Sequence, residues 1–290
     1  MDVHVVELPG AYTRTGFEAT PEPEDYRRQD VYSPSSASLS FDRPGFEGVA
    51  ADDPIQSLAH MSGRIADAVA AGAGAGRKVL MVGGNCTAVP GMVGGLQRGL
   101  GATTRIGLVW FDAHGDFNTP RTTISGMLGG MPVAVVAGLC HPAWRAGAGQ
   151  EVALPTDRIV MVDVRDLDPR EEELINATDV TRTSITGPEL AAAVGRLAAE
   201  TDLIYLHIDL DVLDQSLVPS HRTPAPGGPD VAQTVAAVET VLDTGAVGAF
   251  ALVSACTTGP GGEVALASAI ELLHRSLARW GRQTSGALAS

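Results

Sequence analysis

Short apolar runs recur along the chain, and stretches with helical spacing separate them. The runs are His4 to Leu8, Lys78 to Val82, Ile106 to Phe111, Arg158 to Val164, Leu203 to Asp209 and Gly248 to Val253. Between them lie helical candidates at Ile55 to Ala71, Thr87 to Leu100, Gly187 to Glu200, Ala232 to Leu242 and Glu263 to Trp280. Apolar runs this continuous suit strands buried on both faces rather than half-exposed ones. Strands alternating with helices predict an α/β fold, a mostly parallel sheet with helices on both sides. The 290 residues suffice for one large core and contain no linker-like stretch, so a single domain over 1–290 is expected. Gly10 to Pro54 is polar, Pro-rich and aperiodic, and reads as a long surface loop with at most a short helix or strand, of the kind that can line a cleft.

A formal net charge of −14 argues against nucleic acid or an anionic membrane as partner, because no basic run is present to neutralise phosphates. The cysteines Cys86, Cys140 and Cys256 are odd in number and scattered, which suits a reducing compartment better than a disulfide framework. The start, Met-Asp-Val-His-Val-Val, lacks a basic region followed by a long apolar one, and no apolar stretch reaches spanning length. The expectation is a cytoplasmic protein. The Ala-Gly repeat from Ala71 to Gly76 reads as a helix stop. Gly83-Gly84 follows a strand, yet the spacing of a phosphate loop is absent, and nucleotide binding is set aside.

The chemistry concentrates where two of the apolar runs end. Ile106 to Phe111 leads into Asp112-Ala-His114-Gly-Asp116, and Leu203 to Ile208 leads into Asp209-Leu-Asp211. Parallel sheets bind ligands at that edge. Residues two apart face one side of a strand, so Asp112, His114 and Asp116 can converge, as can Asp209 and Asp211. Carboxylates gathered this closely repel one another unless a cation lies between them.

In this setting the chain resembles the arginase and agmatinase (ureohydrolase) family. Gly83-Gly-Asn-Cys86 resembles the family's Gly-Gly-Asp/Asn-His block, Asp112-Ala-His-Gly-Asp116 its Asp-Ala-His-x-Asp block, Ser125-Gly-Met-Leu-Gly-Gly-Met-Pro132 its Ser-Gly-Asn-x-His-Gly-Met-Pro block, and His207-Ile-Asp209-Leu-Asp211-Val-Leu-Asp214 its Ser-x-Asp-x-Asp-x-x-Asp block. The resemblance implies a three-layer α/β/α sandwich and hydrolysis of a guanidine or amidine at two Mn²⁺ ions. Asp112 and Asp209 would bridge the ions, His114 and Asp211 would complete one, and Asp116 with Cys86 the other. It also implies that Asp211 lies near the attacking hydroxide, that Asn118, Thr123 and Ser125 hold a substrate carboxylate, and that Asp168, with Glu171 nearby, meets an α-amino group. The implied partner is a small amino-acid substrate; trimers or hexamers are the family's assemblies, and the sequence does not choose between a homo-oligomer and a monomer.

Three positions depart from the pattern. Cys86 stands where the family has a histidine ligand; a thiolate is a poor match for Mn²⁺, so the second ion should be weakly held, unless Cys86 is merely a small buried residue. Gly129 replaces the histidine that would carry a proton to the leaving amine, leaving Asp211, His221 or bulk water for that task; a loop histidine such as His221 is ordinarily solvated. Ser254 stands where a glutamate would meet the guanidinium, and a buried cation without its anion costs several kcal/mol. A less basic substrate is expected, Nω-hydroxy-L-arginine, giving hydroxyurea and L-ornithine; within the family the chain is similar to amidinohydrolases of this substrate in D-cycloserine (antibiotic) biosynthesis. The rivals are an arginase, another guanidino or formimino amino-acid ureohydrolase, and a catalytically silent family subunit.

Overall fold

The computed structural model describes residues 2–14, 16–33, 38–47 and 53–282. The main sheet has eight strands: β1 (Asp2–Leu8), β4 (Ser38–Asp42), β5 (Lys78–Gly83), β6 (Ile106–Phe111), β7 (Ile159–Val162), β8 (Thr181–Thr183), β9 (Leu203–Asp209) and β10 (Val247–Val253), in the order β4-β1-β5-β10-β9-β6-β7-β8. Every pairing in it is parallel. β2 (Gly10–Thr13) and β3 (Gly16–Ala19) form a separate antiparallel hairpin.

Alternate residues of each central strand feed two cores. Val109 and Phe111 of β6, with Leu206 and Ile208 of β9, pack in the core formed with α7 (Pro188–Glu200), α8 (Val231–Leu242) and α9 (Gly262–Gly281). Leu108, Trp110 and Tyr205 pack in the core on the other face, with α2 (Pro54–Gly74), α3 (Val89–Leu100), α4 (Pro132–Val136) and α5 (Pro142–Gly147). This is the expected arrangement of a sheet between two helical layers. Asp53 starts α2 by accepting from the Ile55 and Gln56 amides, with Pro54 at its first position, as the helix's orphan donors require. α2 and α3 approach so closely that a Cβ on Gly95 would lie 2.5 Å from Val69 Cβ.

Several elements escape the sequence pattern. The stretch expected as a loop holds the β2–β3 hairpin, α1 (Glu22–Arg28) and the edge strand β4. β4 and β8 are short, polar and at the sheet's two edges, where one face and one row of backbone groups need no apolar cover. The run expected from Arg158 to Val164 ends as strand at Val162 because Asp163 turns to φ +65°. α4, α5 and α6 (Pro169–Asn176) are too short to declare a period. No helix among the described residues is long and apolar enough to cross a membrane.

The connection after β5 runs through α3 on one face, and that after β9 runs through α8 on the other. The carboxyl ends of β5, β10, β9 and β6 therefore surround a crevice where connections diverge, the place at which open parallel sheets bind ligands.

Candidate metal centre

Four strand ends deliver the site. β5 leads through Gly83 and Gly84, both at positive φ, to Cys86; β6 leads to Asp112, His114 and Asp116; β9 to Asp209 and Asp211; β10 to Ser254. Three triads form, Cys86 with Asp112 and Asp116, Asp112 with His114 and Asp211, and Asp209 with Asp211 and His221, each with ligand atoms within 4.8 Å of one another. The expected residues thus come together, and His221 joins them.

The carboxylates are oriented by short local bonds. Asp112 Oδ1 accepts from the His114 amide at 2.6 Å, Asp209 Oδ1 from the Asp211 amide at 3.0 Å, and Asp211 Oδ1 from the Ala113 amide at 3.3 Å. His114 Nδ1 lies 3.0 Å from Asp211 Oδ2 and 3.3 Å from Asp112 Oδ1, while Nε2 faces Asp166 Oδ2 at 3.8 Å. The Nδ1 contacts to Asp211 and Asp112 orient the ring, and Asp166 is too far for a hydrogen bond. Burial lowers the proton affinity of His114, but Asp112 and Asp211 outweigh it and raise its pKa to about 12.

Burial, and then the facing carboxylates, push Asp112 well above the ordinary carboxylate range; burial does the same to Asp116. Asp209 is held well below that range: burial opposes its charge, but His221, the Cys86 thiol and the Ser254 hydroxyl all favour it. A buried group of carboxylates with so few cationic partners calls for a cation. Carboxylate oxygens and imidazole nitrogens suit a hard or borderline divalent ion, so the donor set fits.

Cys86 differs from the rest. Its Sγ lies 2.9 Å from Asp209 Oδ2, 3.6 Å from Asp112 Oδ2 and 3.5 Å from His207 Nε2, among the donor atoms of the cluster. Burial, then Asp209, Asp116 and Asp112, push its thiol well above the ordinary range. Any cation it binds must therefore displace a firmly held proton.

The remaining candidates divide between site and support. Ser254, at φ +61°, donates to Asp209 Oδ2 at 2.6 Å. A Cβ on Gly129 would meet nothing within 4 Å, so a side chain could start there without a clash. Asn118 donates to Asp168 Oδ2 at 3.2 Å and accepts from Thr122 Oγ1 at 2.8 Å; the Ile124 amide also donates to Asp168, at 3.0 Å. Thr123 and Ser125 make local turn bonds: Thr123 Oγ1 accepts from the Gly126 amide and Ser125 Oγ from the Met127 amide. Glu171 is 3% exposed and accepts from the Phe117 amide at 2.8 Å and the Asp168 amide at 3.3 Å. It ties the chain at Phe117 to the start of α6.

Two histidines exceed what the sequence assigned them. The side chain of His221 is only 7% exposed, with Nε2 3.5 Å from Asp209 Oδ1 and Nδ1 3.5 Å from Asp211 Oδ2, unlike an ordinary solvated loop residue. His207, which the motif alone gave no role, reaches Cys86; its position two residues before Asp209 on one strand face was the available signal.

A family model described as the arginase family matches residues 23–255. The chain belongs to the arginase family. It is 32% identical over 182 residues to an arginase of Bacillus caldovelox, 60% of this chain and 60% of that protein. To an arginase of Neurospora crassa it is 30% identical over 210 residues, 68% of this chain and 58% of that protein. The matched part thus spans about 60% of the length of these curated relatives. Among solved structures, arginase from Bacillus caldovelox matches with a TM-score of 0.82 at 23% identity, covering 99% of both chains. At that identity the likeness speaks for the fold, the arginase-type three-layer sandwich.

Proposed function

We propose that this arginase-family chain is a metal-dependent ureohydrolase that cleaves Nω-hydroxy-L-arginine to hydroxyurea and L-ornithine. The convergence of Asp112, His114, Asp116, Asp209 and Asp211 at one sheet edge carries the reading. Two divalent cations, Mn²⁺ on this oxygen- and imidazole-rich donor set, would be held by Cys86, Asp112, Asp116 and Asp209 and by Asp112, His114, Asp209 and Asp211. When bound, such a pair supplies charge stabilisation and a water-derived nucleophile near neutral pH.

The chain's own residues do the rest. Asp211, fixed by the Ala113 amide and His114, orients the attacking water. Asn118, Thr123 and Ser125 receive the substrate carboxylate and Asp168 its α-amino group, while Glu171 acts through the loop it ties. Water adds to the guanidine carbon, the bond to the δ-nitrogen breaks, and the departing amine takes a proton. Gly129 has no side chain to hold that proton, so it is assigned to His221, which lies against Asp209 and Asp211. Ser254 selects the substrate: a full guanidinium would lie unpaired beside it at a cost of several kcal/mol, whereas the less basic hydroxyguanidine can donate its N–OH to the Ser254 oxygen, whose own proton goes to Asp209.

Ornithine release from arginine and from Nω-hydroxy-L-arginine, measured side by side with Mn²⁺ present, tests the proposal. Faster turnover of the hydroxylated substrate is expected; faster turnover of arginine would sink the substrate assignment. No turnover of either, with no Mn²⁺ taken up, would favour a silent subunit.

A further inference from the structure

We infer that His207 is a positioning residue for Cys86: its Nε2–H bonds the cysteine sulfur and adapts a thiol to a cation site that the surrounding carboxylates alone would not complete. The inference rests on the reading of Cys86 as a metal ligand.

The geometry around His207 is fully determined. Tyr205, His207 and Asp209 lie on one face of β9, and His207 pairs in register with Trp110 of β6. The two rings stack at 4.1 Å between centroids and 5° between planes. Tyr205 Oη lies 2.7 Å from His207 Nδ1, with its ring edge-on at 87°. Stacked on one side and anchored at Nδ1, the imidazole cannot turn, and Nε2 points at Cys86 Sγ, 3.5 Å away. The side chain is fully buried.

Chemistry gives this arrangement a purpose that packing does not. Phenylalanine would stack on Trp110 as well and would bury no polar nitrogens, which are costly to desolvate. A sulfur bonded to a cation carries negative charge and accepts hydrogen bonds. Its other side-chain contacts, Asp112 and Asp209, are carboxylates and have nothing to donate. His207 supplies a donor when Tyr205 Oη donates to Nδ1 and so places the ring's proton on Nε2. Outer groups that orient a metal ligand in this way typically change metal affinity or activity tenfold to a hundredfold when removed.

Co²⁺ is the probe, because a cobalt–thiolate bond adds a charge-transfer absorption in the near ultraviolet. The wild-type protein is expected to show the band and the Cys86→Ser protein to lack it; no band in the wild type would overturn the ligand reading itself. His207→Phe, which keeps the stack, is expected to weaken the Cys86-dependent band and its Co²⁺ affinity about tenfold to a hundredfold. His207→Gln, which keeps a donor, should recover part of the loss. In a Cys86→His background, His207→Phe should change affinity by less than about threefold. A band and affinity unchanged by His207→Phe would overturn the inference while sparing the ligand reading, and equal losses in both backgrounds would reduce His207 to a packing residue. Should His207→Phe fail to fold, His207→Asn against His207→Gln in the Cys86 and Cys86→His backgrounds gives the same comparison.

Discussion

Asp209 accepts more than any other side chain at the site: the Cys86 thiol, the Ser254 hydroxyl and the Asp211 amide all bond it, and His221 lies beside it. Those partners make it the carboxylate whose charge the fold protects most, although burial opposes that charge. An amide at this position would accept with one oxygen only and would turn donor hydrogens toward Cys86 or Ser254. Asp209→Asn is therefore expected to lose divalent-ion binding and to lower kcat/KM by at least about a hundredfold, since cations at such a site supply several kcal/mol. Metal content after dialysis and steady-state kinetics together check it. Wild-type metal content in that variant would remove Asp209 from the ligand set.

At the scale of elements, the support beneath the site has its own pH signature. Glu171 joins α6 to the loop from Phe117 to Ser125, and burial raises its pKa from 4.5 to about 7 against the pull of the Phe117 and Asp168 amides. A carboxyl whose folded value lies above its unfolded one contributes full stability below pH 4.5 and loses it as pH rises through about 7. The gap corresponds to about 3 kcal/mol. Chelator-treated wild-type protein should thus lose stability between pH 4.5 and 7 relative to Glu171→Gln, as denaturant titrations at a series of pH values would show; parallel pH curves would refute it. The α2–α3 contact is a second element-scale case. Gly95→Ala places a methyl carbon against Val69, and overpacking of this kind costs about 1–3 kcal/mol, readable as a lower denaturant midpoint with metal binding retained. An unchanged midpoint would mean that α3 can shift away from α2.

For the whole molecule, a cation held by the cluster would couple binding to folding. Its carboxylates come from strand ends far apart in sequence, so the site exists only in the folded chain and cation binding adds to stability by mass action. Chelation is expected to lower the thermal midpoint, by about 2.7 kcal/mol of stability when the removed ion had stood at a hundred times its dissociation constant, and Mn²⁺ should restore it. A midpoint indifferent to chelator would mean that the carboxylates are balanced by protons instead.

The apolar runs by themselves determined the central strands, the parallel sheet and its two helical layers, because a strand buried on both faces must be apolar throughout and a parallel crossover needs a helix. The motifs after β6 and β9 also named the carboxylates that meet, although not by strand alternation: β6 ends at Phe111, Asp116 turns to φ +45°, and Asp211 sits in a 3₁₀ turn after β9. What only the tertiary structure decided lies between elements. The edge strands β4 and β8 are held by backbone pairing, which leaves little apolar trace. His221 is drawn from its loop against Asp209 and Asp211 by a fold the local sequence does not encode. Cys86 meets His207 because β5 and β9 flank β10, a neighbourhood set by strand order and invisible to any periodicity. Sequence spacing fixes which way a side chain faces along its own strand; which partner stands opposite is fixed only when the sheet is assembled.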